Sequence, residues 1–358
     1  MSNLFDYITK YGNFSFEDKK FNDIDNLVFC SISYANFSKK CKTNEVYSIS
    51  EIGKEYLAHN KYEDVKKLGI PQDEAYRVLT RIIDEKRYKD LKLRNYTYKI
   101  SDNMQFCAFI IEVTKKLNYL CFEGTDEVLS GWIEDGMLSY TFPVPSQIEA
   151  VKYVNKHVKL FGPKYIVGGH SKGGNLALVS SMYMRKYKSG KVIKVYSNDG
   201  PGLRDNEYYS NEYLNIKSKY IHIVPFCSVV GMMLKSDKEV VVKSSKKNII
   251  GHALTTWGVV DDKLDLGELS VKSIRLRKSL EIWLHEHSDE DKERVFKAVF
   301  DALKKSDVTT FPNVGKIRNL FKIIHNMGEI DKSTKRILLD FIAYVFVSVK
   351  GIKKIDED

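Results

Sequence analysis

The sequence predicts an α/β fold with a mainly parallel central sheet, a helical N-terminal segment and a helical C-terminal appendage. Three observations carry this. Residues 1 to about 92 repeat apolar side chains at helical spacing. From "NYTYKIS" onward, short runs rich in β-branched and aromatic residues alternate with helical patterns. After about residue 268 the helical period returns and persists. The expected division is therefore residues 1–267 as the α/β domain and residues 268–358 as a helical region. A chain of 358 residues suffices for one large domain with an appendage. It contains no internal repeat and no low-complexity tract.

In the N-terminal block, "FNDIDNLVFCSISYANF" has helical spacing after Asn22 and Asp23. "SISEIGKEYLAHN" and "PQDEAYRVLTRIIDEKRYKDLKL" continue it, with Pro71 near a helix start. "NYTYKIS", "QFCAFIIEVT" and "LNYLCFEG" then form a strand block separated by "DNM" and "KK". Residues 146–162 read as an amphipathic helix capped by Ser146. "KYIVGG" reads as a short buried strand, and "GGNLALVSSMYMRKYKSG" as a helix stopped by Gly190. "KVIKVYSNDGPG" and "KYIHIVPF" are two further strands. Alternating strands and helices favour a parallel sheet, because each helix returns the chain to the same edge.

Composition narrows the function classes. The net charge of +10 comes from lysines interspersed with acids along the whole chain, without a basic block interleaved with aromatics, so nucleic acid is not expected as a partner. The start, "MSNLFDYITKYG", lacks the basic and apolar regions of a secretory signal. The longest apolar run, residues 337–349, is broken by Asp340 and is shorter than the roughly 20 residues a spanning helix needs. Cys30, Cys41, Cys107, Cys121 and Cys227 are scattered, odd in number and free of CxxC spacing. A reduced, cytoplasmic protein without a zinc site or other cofactor is expected.

The stretch "IVGGHSKGGNLALVSS", residues 166–181, carries chemistry. G-x-S-x-G between a strand and a helix is a nucleophile elbow: the serine sits on a sharp, strained turn, and the residues two before and two after it must be tiny. Gly169 and Gly173 flank Ser171 in that spacing, and Gly174 permits close packing of helix on strand. The helix start offers free N–H groups to an oxyanion, and the backbone N–H of Lys172 is the expected donor. The plain alternative is a glycine-rich turn with an incidental serine. His170 adjoins the serine, but its side chain should point away and serve the structure.

A serine needs a base, and the base an orienting acid. The histidines after Ser171 are His222, His252, His285, His287 and His325. His222 falls in a strand, and the last three fall in the helical tail. His252, in "NIIGHALTTWGVV", follows a glycine on a loop and is the best base by position. For the acid, Asp199 ends the strand after the nucleophile helix, at the carboxyl edge where sites of α/β sheets form. Its alternative role is a turn-forming Asp before Gly200-Pro201.

These residues together resemble the class 3 lipase-like α/β-hydrolases, and in particular a bacterial group marked by a GHSKGGNLA elbow. The resemblance spans about residues 20–265 and implies the α/β-hydrolase fold for residues 1–267. "YLCFEGTDEVLSGWIEDGML" is similar to that family's oxyanion segment. It places Gly124-Thr125 at the oxyanion turn, with Thr125 as second donor, and matches Trp132 and Asp135 to a downstream Trp and Asp. The elbow carries the nucleophile role to Ser171, and "GHALTTW" carries the base role to His252. Two departures stand out. Glu123 replaces the arginine that usually precedes Gly-Thr, and Ser228 stands in "VPFCSVVG" where the late aspartate is usual, leaving Asp199 one strand earlier as the replacement.

The expected function is a serine acyl hydrolase, esterase- or lipase-like, acting on a lipid or other small acyl ester. The rival is a weakly active or inactive binding or scaffold protein on the same fold. Residues 136–147, with Met137, Leu138, Tyr140 and Phe142, suit either a lid over an acyl pocket or packed core. In the tail, "IRNLFKIIHNM" and "RILLDFIAYVFVSVKGIKK" pair apolar faces with basic residues. Packing on the domain is expected, with Phe341, Tyr344 and Val345 buried; peripheral membrane contact is the other role open to such helices.

Overall fold

The computed structural model describes residues 1–126, 129–237, 239–305 and 331–350. Eight strands form one sheet in chain order: β1 (Val46–Ser48), β2 (Lys92–Ser101), β3 (Met104–Thr114), β4 (Leu117–Phe122), β5 (Lys164–His170), β6 (Val192–Asn198), β7 (Tyr220–Pro225) and β8 (Val240–Val242). β1 to β4 pair antiparallel, joined at β2–β3 and β3–β4 by the two-residue turns that polar dipeptides favour. β4 to β8 pair parallel. This is the α/β-hydrolase arrangement, with a parallel half that carries the elbow and an antiparallel half that extends it. β1 is a strand inside the block read as helical. Three residues are too few to show a period, and their pairing with β2 makes them a strand.

Both faces of the sheet are covered, and β3 shows why its sequence is a continuous apolar run. Cys107, Phe109, Ile111 and Val113 point to one core, and Phe106, Ala108 and Ile110 to the other. The first core is closed by the N-terminal helices α1 (Leu4–Tyr11), α2 (Asp23–Ile32), α3 (Ile49–His59) and α5 (Ile70–Ile82), with α4 (Tyr62–Leu68) packed on α5. Asn22 caps α2 by accepting from the N–H groups of Ile24 and Asp25. The Asp25 carboxylate beneath it is held by the fully buried Arg87 at 2.6 and 2.8 Å. The second face carries α6 (Leu129–Met137), α7 (Pro145–His157) and α8 (Lys172–Met182).

Two helix boundaries differ from the sequence reading. Ser146 does not cap α7. Pro145 opens the helix with its preset φ, the Gln147 side chain accepts from the Val144 N–H, and the Ser146 N–H donates to Glu134 Oε1 at 2.6 Å. That helix ends at His157, where Val158 turns extended and buries its side chain. α8 ends at Met182 rather than at Gly190, because Arg185 turns out of the helix and donates its N–H to Asn155 Oδ1. Gly190 closes a separate short turn, Lys186–Ser189.

The parallel register aligns the carboxyl ends that matter. Phe122 pairs with Gly169, His170 with Asn198, and Asn198 with Ile223. The residues that follow β4, β5, β6 and β7 therefore leave the sheet along one edge. Beyond this body run helices Val271–Glu286, Asp289–Lys305 and Lys332–Lys350. They close on Trp283, which is 1 % exposed and meets Phe296 and Phe341 with ring centres 6.3 and 4.8 Å apart. Phe341 is half-buried; the side chains of Tyr344 and Val345, and the segment "IRNLFKIIHNM" with His325, lie outside the described residues. Arg204–Asp289 and Arg277–Glu239 ion pairs tie these helices to the sheet's edge. No helix among the described residues is long and apolar enough to cross a membrane.

Candidate active site

Ser171 sits where β5 turns into α8, with φ 57° and ψ −133°. A side chain in that region costs of order 1–3 kcal/mol and persists only where its surroundings impose it. They do so here. The Ser171 N–H donates to the Asn198 carbonyl at 2.9 Å. A methyl group on Gly169 would lie 2.2 Å from the backbone of Gly173, and one on Gly173 would lie 2.3 Å from the Phe122 carbonyl oxygen. The close crossing of strand and helix thus demands both glycines. Beneath the turn, Asn198 Nδ2 donates to the Gly169 carbonyl at 3.0 Å and pairs with the buried Asn26 amide.

One strand along, Asp199 also has a positive φ, 49°, which turns its side chain off the sheet edge. Its carboxylate is 1 % exposed yet fully engaged. Oδ1 accepts from the Ser228 hydroxyl at 2.5 Å and from the Gly231 N–H at 3.0 Å. Oδ2 lies 2.7 Å from His252 Nδ1. His252 closes a 3₁₀ turn, Ile249–His252, anchored by Trp257 Nε1 donating to the Gly251 carbonyl at 2.9 Å. Its side chain is 22 % exposed, so the far ring edge reaches solvent.

His170 lies under this histidine. The rings are 4.3 Å apart, and His170 Nε2 donates to the His252 carbonyl at 2.9 Å. Nδ1 must then accept from the Tyr34 hydroxyl at 2.8 Å. Burial pushes His170 well below the usual imidazole range, so it stays neutral and in that tautomer. It is a support, as its position beside the serine implied.

Gly124 lies directly against the elbow: a methyl there would be 3.0 Å from Ser171 Cβ and 2.2 Å from Tyr34 Oη. Thr125 follows on the same turn, and the Asp126 N–H is held by Gln105 Oε1 at 3.3 Å. Asp135 is pushed up to about 6 by burial, opposed in part by the Lys172 charge. Glu123 is buried, and its burial, with Asp126 nearby, raises its carboxyl well above the ordinary range. The Lys172 N–H stands at the first position of α8, where no helical carbonyl is available to it. The Lys172 side chain is 1 % exposed and pairs with Glu134 at 2.9 Å.

The structure therefore brings Asp199 and His252 into contact and sets Gly124 beside Ser171. It shows no hydrogen bond between Ser171 Oγ and His252 among the described residues, a looseness common in unliganded sites. The other histidines stand apart. His222 is buried, 3.1 Å from the Gly200 carbonyl; His285 faces Asp205; His287 lies against Trp283 with the rings tilted. The Trp132 side chain lies outside the described residues. Sequence reasoning missed Ser228 and Gly231 as partners of Asp199, and the Lys172–Glu134 pair. For Ser228 a signal existed: a small polar residue at the place where an acid was expected. Among the described residues no His, Cys, Asp and Glu cluster is suited to a metal ion. A cavity of about 430 Å³ opens near the same sheet edge, between Leu203, Met232, Leu234 and Leu284, but neither Ser171 nor His252 lines it.

The Mbeg1-like family profile matches residues 82–301, more than half of the chain. The chain belongs to the Mbeg1-like family. The match leaves out most of the N-terminal helices of this Mbeg1-like chain and reaches into the helix Asp289–Lys305, so it starts later and ends later than the resemblance read from the sequence. No curated protein matches it. Among solved structures it is similar to a fungal lipase–inhibitor complex described as a model for interfacial activation, at 16 % identity and TM-score 0.36, covering 62 % of this chain and 80 % of the other. It is also similar to M37 lipase, at 14 % identity and TM-score 0.33, covering 59 % and 69 %.

Proposed function

We propose that this chain is a serine acyl hydrolase that cleaves an ester of a lipid or other acyl compound through an acyl-enzyme on Ser171. The observation that carries the reading is the 2.7 Å contact of Asp199 with His252, formed at the sheet edge where Ser171 occupies a strained elbow. In this mechanism His252 Nε2 takes the Ser171 proton as Oγ attacks the ester carbonyl. The carbonyl oxygen becomes an oxyanion facing the N–H groups of Thr125 and Lys172. His252 then protonates the leaving alkoxide, and water, deprotonated by the same nitrogen, releases the acid. Asp199 holds His252 in the tautomer with its proton on Nδ1 and stabilises the imidazolium. The five unpaired cysteines, four of them buried, suit a reducing cytoplasm.

The test is labelling with a fluorophosphonate probe. One adduct on Ser171, absent from Ser171→Ala, is expected. Glu123, standing before Gly124-Thr125 where the resemblance has an arginine, favours the second reading, a binding or scaffold protein on a hydrolase fold. Folded protein that takes no label at Ser171 would establish that second reading in place of the first.

A further inference from the structure

We infer that the buried Lys172–Glu134 ion pair is a positioning device that fixes the oxyanion turn against the nucleophile helix. The inference rests on the acyl-hydrolase reading and goes beyond it, because it assigns a role to a side chain whose backbone alone that reading uses.

Both charged groups are out of water: the side chains are 1 % and 0 % exposed, 2.9 Å apart. Such pairs contribute little net stability, since desolvation offsets the attraction. Each end is tied to a different part of the site. Lys172 immediately follows Ser171 on α8. Its Nζ also donates to the Gln105 carbonyl at 3.3 Å on β3. Glu134 belongs to α6, and its other oxygen accepts from the Ser146 N–H at 2.6 Å, so α7 is fixed to the same carboxylate.

The link from this pair to the oxyanion turn runs through α6 and Gln105. α6 packs its Gly131 on Thr125: a methyl there would lie 2.7 Å from Thr125 Cγ2 and 2.6 Å from Gln105 Oε1. That Gln105 oxygen holds the Asp126 N–H. Gln105 and Gly131 therefore touch the turn themselves, while Lys172 reaches it through the Gln105 backbone and Glu134 through α6. The position of the Thr125 N–H relative to Ser171 follows from where the ion pair holds α6. Glu123 and Asp135 also feel the Lys172 charge, which opposes part of the rise that burial imposes on each carboxyl. A displacement of about 1 Å in such a turn costs roughly 10²-fold in rate.

The test uses Lys172→Met, which keeps the backbone N–H, and the double variant Lys172→Met/Glu134→Gln. The single variant strands a buried carboxylate and is prone to misfold. The double variant removes both charges and leaves an oxygen to accept from Ser146. Hydrolysis of p-nitrophenyl butyrate and the rate of fluorophosphonate labelling are measured on the full chain. The expected result for the folded double variant is a kcat about 10²-fold lower, slower labelling to match, and KM within threefold of the parent. A purely structural role would move the melting temperature and leave this split unseen. A folded double variant with kcat within twofold of the parent, or with the loss in KM alone, overturns the inference while leaving the hydrolase reading standing. A parent chain that takes no label at Ser171 overturns both.

Discussion

Ser228 donates a hydrogen bond to the same carboxylate that holds His252. Its hydroxyl lies 2.5 Å from Asp199 Oδ1, and His252 Nδ1 lies 2.7 Å from Oδ2. Asp199 follows β6 and Ser228 follows β7. The two meet because β6 and β7 are adjacent, and the loop after β7 returns Ser228 and Gly231 over the end of β6.

Asp199→Asn should lower kcat by roughly 10⁴-fold, since an amide holds the wrong imidazole tautomer. The fold should survive, because the amide oxygen still accepts from Ser228 and Gly231. Ester hydrolysis alongside a thermal melt checks this; a folded variant at parental rate would remove Asp199 from the mechanism.

Ser228→Ala should act in the same direction but less. It removes one of the carboxylate's hydrogen bonds, worth about 1.5–3 kcal/mol to a charged group, and leaves the Gly231 N–H in place. A fall in kcat of about tenfold is expected. Steady-state kinetics of the single variant against Asp199→Asn orders the two effects.

Gly124→Ala should slow fluorophosphonate labelling by roughly 10²-fold or more, on the scale of losing one oxyanion donor. The new methyl would fall 2.5 Å from the His170 carbonyl oxygen, so the turn must move. Adding Tyr34→Phe should not restore the rate, because that carbonyl belongs to the backbone. A restored rate would shift the cause to the tyrosine.

Asp135 sets a pH dependence. Its folded carboxyl titrates at about 6 against an ordinary 3.8, so the folded state keeps a proton that the unfolded chain releases. Its contribution to stability is full below about pH 3.8, declines as pH rises toward 6, and is lost above that. The melting temperature of the parent, relative to Asp135→Asn, should therefore fall between pH 4 and 6 and level off near 7. A constant difference across that range would place the Asp135 carboxyl in the ordinary range.

Truncation after residue 267 should expose the faces of α6 and the sheet edge now covered by the C-terminal helices, and the product should aggregate. Phe296 and Phe300 sit against Gly136 at closest approach, so α6 loses its cover. Light scattering and size-exclusion chromatography read the outcome. A monomeric, stable product that no longer binds anionic liposomes would instead make the tail a membrane-targeting element.

The elements of this chain whose cause is local were legible in its sequence. The crossing of β5 and α8 lies within a few residues, so sterics alone demand glycine at 169 and 173 and leave Ser171 on the turn. The two-sided burial of β3 and β4 is likewise written in their unbroken apolar runs. What only the tertiary structure decided depends on contacts between distant segments. β1 is a strand because β2 offers it a hydrogen-bonding edge. Ser146 lies inside a helix because Pro145 starts it and Glu134 takes its N–H. Asp199 and His252 are 53 positions apart and meet because the loops after β6 and β8 fold over one sheet edge. The Lys172 side chain, which the sequence leaves without a role, is buried because Glu134, 38 positions away, is buried opposite it. A charge leaves water only when its partner is already placed, and that placement is a property of the assembled fold.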